Sequence, residues 1–142
     1  MNLSLYFTLD EMTTSQTATR ANIDNIPTGS ELDSLKFTAQ QMDKVRQHLG
    51  KPVFISSGYR SPKVNKLVGG VPSSQHTKGE AVDFTCPNFG TPREIVKSLK
   101  SSGIDFDQLI LEFDRWVHIS FTRNSNRKQV LVIDHNGTRN FV

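Results

Sequence analysis

Between Ser74 and Asp83 the chain reads Ser-Gln-His-Thr-Lys-Gly-Glu-Ala-Val-Asp, and about thirty-five residues later comes Trp116-Val117-His118. His76, Asp83 and His118 together offer two imidazoles and one carboxylate, and a fold that uses all three has to bring the two segments together. That donor set is what a catalytic Zn²⁺ needs when three protein ligands must leave a fourth position open for water. Metal-assisted hydrolysis is the leading reading.

The rest of the composition narrows the setting. At 142 residues the chain is expected to form one domain spanning 1–142, large enough to fold without disulfide staples. Its single cysteine, Cys86, has no partner within the chain and reads as a small buried filler rather than a ligand. The start, Met1 to Asp10, lacks a basic region followed by a sustained apolar core, so no signal peptide is expected. No apolar run approaches the roughly 18 residues needed to span a bilayer. A soluble protein made in the cytoplasm is therefore expected. Lys and Arg number 17 against 14 acids, giving +3. That mild charge suits a solvated basic surface or attraction to a polyanion. No zinc-finger spacing, helix-turn-helix cue or aromatic RNA-binding signature accompanies it, so nucleic acid is not expected as a partner.

Periodicity and turn chemistry sketch an α+β domain, a mainly antiparallel sheet with flanking helices. Thr8 with Glu11 three residues on marks a helix start. Ala21 to Gly29 reads as a loop, and Glu31 to Leu49 as a core helix closed by Gly50. Pro52 to Ser57 is a strand, Pro62 to Leu67 a short helix, and Gly70 to Gly79 a polar loop that delivers His76. Glu80 to Thr85 alternates as a strand, with Val82 and Phe84 on one face and Ala81 and Asp83 on the other. Thr91 to Lys100 is a capped amphipathic helix stopped by Gly103. Asp107 to Glu112 and Trp116 to Thr122 are strands, and Gln129 to Ile133 is a last one.

The pair of strands around Phe113-Asp114-Arg115 carries a second argument. With a three-residue hairpin loop, Glu112 faces Trp116 and Ile110 faces His118, so Glu112 sits diagonal to His118. A carboxylate there suits the general base of a metallopeptidase. Asp114 is the competing candidate if the loop is longer. Arg60, in a turn at a strand end, suits either a substrate carboxylate or the oxyanion of a tetrahedral intermediate. Trp116 reads equally as a substrate-stacking wall or as core packing. His48 and His135 read as solvated surface residues.

The residues Ser74, His76, Gly79, Ala81 and Asp83, with Ser57 to Ser61 upstream and Trp116 to Ser120 downstream, resemble the M15 family of zinc D-Ala-D-Ala peptidases. The similarity is to the branch found in phages and prophages, and it runs from about Phe7, through Ile23-Asp24-Asn25, to about Phe121. It implies the fold that these peptidases share with Hedgehog domains. It also implies Zn²⁺ on His76, Asp83 and His118 and an assisting role for Arg60; Ser74 and Trp116 are the candidate substrate-binding residues. Several members carry a catalytic Glu three residues before the last His; here that position is Arg115, so the base is Glu112 or Asp114.

The resemblance implies bacterial peptidoglycan as substrate and a monomeric lysin, released from the host cytoplasm by a holin-type pore or carried on the virion. The alternatives are a non-catalytic zinc-containing module that binds the cell wall, and a metal-free binder of polyanions.

Overall fold

The computed structural model describes residues 1–142, and no helix in it is long and apolar enough to cross a membrane. Local signals fix most of the helices. Thr8 and Glu11 form a capping box that opens α1, Leu9–Thr13, and Thr91 with Glu94 forms another that opens the α5 helix, Pro92–Lys100. Between them lie α2, Gln16–Ala21, α3, Gly29–Leu49, and α4, Pro62–Leu67, whose Pro62 sits where an N–H would have no helical partner anyway. Helix α3 buries Leu35, Thr38, Ala39, Met42, Val45 and Leu49, a stripe at helical spacing. Gly50 ends it in the left-handed conformation.

Six strands form one sheet: β1, Phe54–Ser57; β2, Ala81–Thr85; β3, Gln108–Glu112; β4, Trp116–Ser120; β5, Gln129–Asp134; and β6, Gly137–Asn140. Their spatial order is β1-β2-β4-β3-β5-β6, with every pair antiparallel except β3–β5. The expected α+β class and mainly antiparallel sheet therefore hold. Three features were not expected from the sequence: α2, β6 and the parallel β3–β5 pairing. In place of a plain polar loop before β2, a single 3₁₀ turn runs from Gln75 to Lys78.

Alternation sorts the central strands into two faces. Val82 and Phe84 of β2, Leu109 and Leu111 of β3, and Val117 and Ile119 of β4 are all fully buried, and belong to the core with Leu35, Met42, Ile95 and Leu99 from the helices. Each such side chain contributes roughly 1.5–3 kcal/mol by leaving water. Helix α5 covers β3 and β4 from this side and touches α3. The opposite face carries Asp83, His118, Ile110, Glu112 and Trp116. Apolar burial on one face thus sets the register that gathers polar groups on the other.

Candidate metal centre

Two strand registers assemble the cluster. Asp83 on β2 is the direct partner of His118 on β4, and Ile110 on β3 is the partner of His118 from the other side. The β3–β4 loop has three residues, so Glu112 pairs with Trp116 as the sequence predicts. Phe113 and Asp114 make the turn by adopting positive φ, 55° each.

His76 arrives from the 3₁₀ turn. Ser74 caps that turn, its hydroxyl accepting from the His76 backbone N–H at 3.2 Å. Gly79 closes the turn at φ +76°, where a Cβ would also meet the Glu31 carbonyl oxygen at 2.5 Å. Thr38 of α3 fixes Gly79 from the same side by donating to its carbonyl oxygen at 2.7 Å. The position therefore needs glycine for both its backbone conformation and its space.

The His76 ring is 2 % exposed, and its Nδ1 lies 2.7 Å from the Gly58 carbonyl oxygen. A carbonyl only accepts, so Nδ1 donates, and in the neutral ring Nε2 presents its lone pair to the cluster. That nitrogen is 3.3 Å from Asp83 Oδ1, while His118 Nδ1 is 2.9 Å from the same oxygen. One donor atom from each of His76, Asp83 and His118 falls within a 4.8 Å span. Ligands held about 2.0–2.1 Å from one tetrahedral ion are separated by about 3.3–3.4 Å. The 3.3 Å separation matches that spacing and the 2.9 Å one is shorter, and two nitrogens with one carboxylate oxygen is a set that Zn²⁺ accepts. The residues fit the ion.

Burial by itself would raise the Asp83 carboxyl, but the His118 imidazole bonded to it and the His76 ring beside it outweigh that and hold Asp83 well below the usual carboxylate range. Glu112 behaves in the opposite way. Burial pushes it up, the nearby Asp83 charge adds to the rise, and His118, Arg60 and the Trp116 indole N–H oppose it. Its Oε1 lies 3.6 Å from His118 Nδ1, close enough to interact and too far for a strong hydrogen bond. The Trp116 indole nitrogen is buried and makes no hydrogen bond, so it lies toward Glu112 without reaching bonding geometry.

Arg60 is held by its backbone. Its N–H donates to the His76 carbonyl at 3.1 Å, tying the turn after β1 to the turn that carries His76. Buried Asn25 braces that turn from both sides, donating to Tyr59 O at 3.0 Å and accepting from the Ser61 N–H at 2.7 Å. Burial lowers the Arg60 guanidinium pKa, offset in part by Asp83 and Glu112, and its Nε is buried without a partner.

Arg60, Ser74, His76, Asp83, Glu112, Trp116 and His118 all line one open cleft of about 530 Å³. The other residues considered from the sequence lie elsewhere. Asp114 does not line that cleft; it is exposed at the hairpin tip and lies 3.1 Å from Arg93. Cys86 is fully buried in the core, His48 bonds Ser98 at 2.9 Å, and His135 packs on Phe113. Sequence reasoning missed the role of the Gly58 carbonyl and of Asn25. Gly58 carries a signal only in retrospect: a Cβ there would collide with the Met12 carbonyl oxygen.

No curated protein is similar enough to this chain to count as a match. A family model described as Peptidase M15 matches residues 5–120, which include every residue of the cluster and Arg60, Glu112 and Trp116. With that match over most of its length, the chain belongs to the Peptidase M15 family.

Proposed function

We propose that this protein is a zinc-dependent metallopeptidase that hydrolyses bacterial peptidoglycan peptides, acting as a phage-type lysin. The observation that carries the reading is Glu112: a partly buried carboxylate with no Lys or Arg ion pair, 3.6 Å from a ligand-type imidazole and inside the same cleft. A structural metal site has no use for such a group.

His76 Nε2, an Asp83 carboxylate oxygen and His118 Nδ1 would hold the ion. Zn²⁺ in such a site supplies Lewis acidity, which makes water a competent nucleophile near neutral pH. Glu112 takes the proton of that water on Oε1 and delivers it to the leaving amine. Its raised pKa, from burial and the Asp83 charge, suits a group that must both accept and release a proton. Arg60 directs a charge that is desolvated and lacks a partner on Nε toward the oxyanion that develops on the scissile carbonyl. Asp114 has no part in this scheme. Trp116 forms a wall beside Glu112, and Ser74 serves the substrate side of the cleft while capping the His76 turn.

Mass spectrometry of purified peptidoglycan digested with the protein, with and without chelator and with zinc restored, tests the reading. New products that vanish with chelator and return with zinc are expected, and their masses identify the bond. Tight binding of one zinc per chain with no product from several wall types would instead make this a wall-binding module.

A further inference from the structure

The end of the sheet beyond Glu112 carries a second groove that the scheme above does not use. It opens between the tips of two hairpins, β3–β4 and β5–β6, encloses about 540 Å³, and shares Trp116 with the metal cleft as a common wall. The parallel register creates it. Glu112 pairs with Ile133, so the turns that follow, at Phe113-Asp114 and at His135-Asn136, end side by side. Trp116 stands two residues from His118 along β4, about 7 Å by strand rise. A substrate held at the cluster therefore reaches the groove by extending about two residues past it.

Three rings line the groove, and Phe113 touches both of the others. Its centroid lies 5.7 Å from that of Trp116 and 5.3 Å from that of His135, each in a tilted contact. Phe113 is 36 % exposed and adopts φ +55°, a left-handed conformation that is rare for a bulky side chain and cheap for glycine. An apolar ring displayed from such a turn gains little from folding, and strain of this kind collects where a ligand is held.

The polar groups beside the rings narrow the ligand. Asp114 is 3.1 Å from Arg93, and Asp134 accepts from Arg139 twice and from the Asn136 N–H at 2.9 Å, so both carboxylates are already neutralised and exert no strong pull on a cation. The turn backbone is occupied as well. Phe113 N–H donates to Ile133 O at 2.8 Å and Arg115 N–H to Glu112 O at 3.0 Å, which leaves these amides unable to pair with an extended peptide. Exposed Arg115 adds hydrogen-bond donors at the rim. Aromatic faces ringed by paired acids and hydrogen-bonding groups suit a ligand that is apolar on its faces and polar at its edge. A pyranose has that form: its C–H groups meet the negative face of an aromatic ring, and its hydroxyls point outward. Building on the peptidase reading, we propose that this groove is a saccharide subsite, holding an N-acetylated sugar of the glycan strand that carries the stem peptide.

Trp116 is the only tryptophan in the chain, so its fluorescence reports on the groove. The intact zinc-loaded protein is titrated with chitotetraose, an uncharged chain of N-acetylglucosamine, and kcat/KM is compared on a stem peptide with and without its disaccharide. A saturable fluorescence change that persists after chelation is expected. The sugar-bearing substrate should be preferred by about 10-fold, the worth of a ring stacked on aromatic side chains, with the gain in KM. Phe113→Gly keeps the turn conformation and removes one ring, and His135→Ala removes another from the opposite hairpin. Each should lower the chitotetraose affinity and the preference by about 3-fold or more, with cleavage of the sugar-free peptide unchanged. Sugar binding without cleavage of any substrate leaves the subsite standing and removes the peptidase reading. Equal cleavage of both substrates with no fluorescence response overturns the subsite alone, as does a preference that survives both variants. An equal loss on both substrates makes Phe113 and His135 braces for Trp116 and also overturns it. A fluorescence response abolished by chelation moves the sugar to the metal cleft and overturns the groove. Neither binding nor cleavage overturns both readings.

Discussion

Glu112 and Asp134 each end a strand of the same sheet, β3 and β5, which lie side by side, yet their carboxylates live under opposite rules. Asp134 is gripped by Arg139 through two hydrogen bonds of 2.9 and 2.7 Å across the β5–β6 turn, and its pKa is pulled down to about 2. Glu112 is hardly less exposed, 20 % against 25 % for the Asp134 side chain, yet it has only a distant imidazole and an unbonded indole for company, and its pKa moves up. Asp134 is satisfied by the fold itself. A partly buried carboxylate left short of partners costs stability, and such a cost persists where the group serves a ligand or a reaction. Glu112, on the inner strand β3, is of the second kind, whereas the outer hairpin β5–β6 carries a pair of the first kind on an edge.

Substitutions that break the inner region have the largest expected effect. His76→Ala removes one of three ligands and is expected to weaken zinc binding by more than the roughly 10- to 100-fold typical of losing only a supporting contact. Calorimetry against zinc measures this, and peptidoglycan hydrolysis should fall to background. Glu112→Gln keeps the shape but loses the base. Zinc affinity should hold within a few-fold while kcat falls by about 10²–10⁴, the usual worth of a positioned proton acceptor. Full activity in that variant would move the base elsewhere.

Asp107 stands between the two regions, buried like the inner groups and paired like the outer ones. Its hydrogen bonds from Arg127 hold its pKa below the usual carboxylate value in spite of burial. A folded pKa below the unfolded one means that the stabilisation is present above about pH 4 and is lost as pH falls through the folded value. Asp107→Asn is therefore expected to cost about 1–2 kcal/mol near neutrality, after discounting for the exposed side of Arg127. Urea denaturation from about pH 6 to about pH 2 should show the difference from wild type shrinking with acidification. A constant difference across that range would show that the Asp107 charge does not matter. Asp134→Asn should give the smallest effect. A surface pair is screened by salt, so the melting temperature should match wild type in about 1 M salt.

Much of the sheet and the cluster was legible because short-range chemistry dictates them. Thr8 with Glu11, Thr91 with Glu94, and Gly50 each satisfy or end a helix terminus through contacts within a few residues. The Val82–Phe84 and Ala81–Asp83 alternation states which face of β2 meets the core. The tight loop at Phe113 to Arg115 transmits that logic to Glu112 and His118. What escaped depends on distant partners or lacks an apolar signature. Helix α2 buries only Ala18, and β6 is exposed along its whole length, so neither shows a hydrophobic period. The parallel docking of β5 on β3 leaves no local mark, and it is what brings Arg127 beside Asp107. Asn25 and the Gly58 carbonyl act through hydrogen bonds to residues distant in the chain.

The most direct measurement is hydrolysis of purified peptidoglycan by chelator-stripped protein as zinc is added back in known amounts. Product should appear in proportion to zinc and level off at one zinc per chain, with the His76→Ala variant silent throughout. Hydrolysis that is already complete in the stripped protein, or none at saturating zinc, would contradict a catalytic metal centre built from His76, Asp83 and His118.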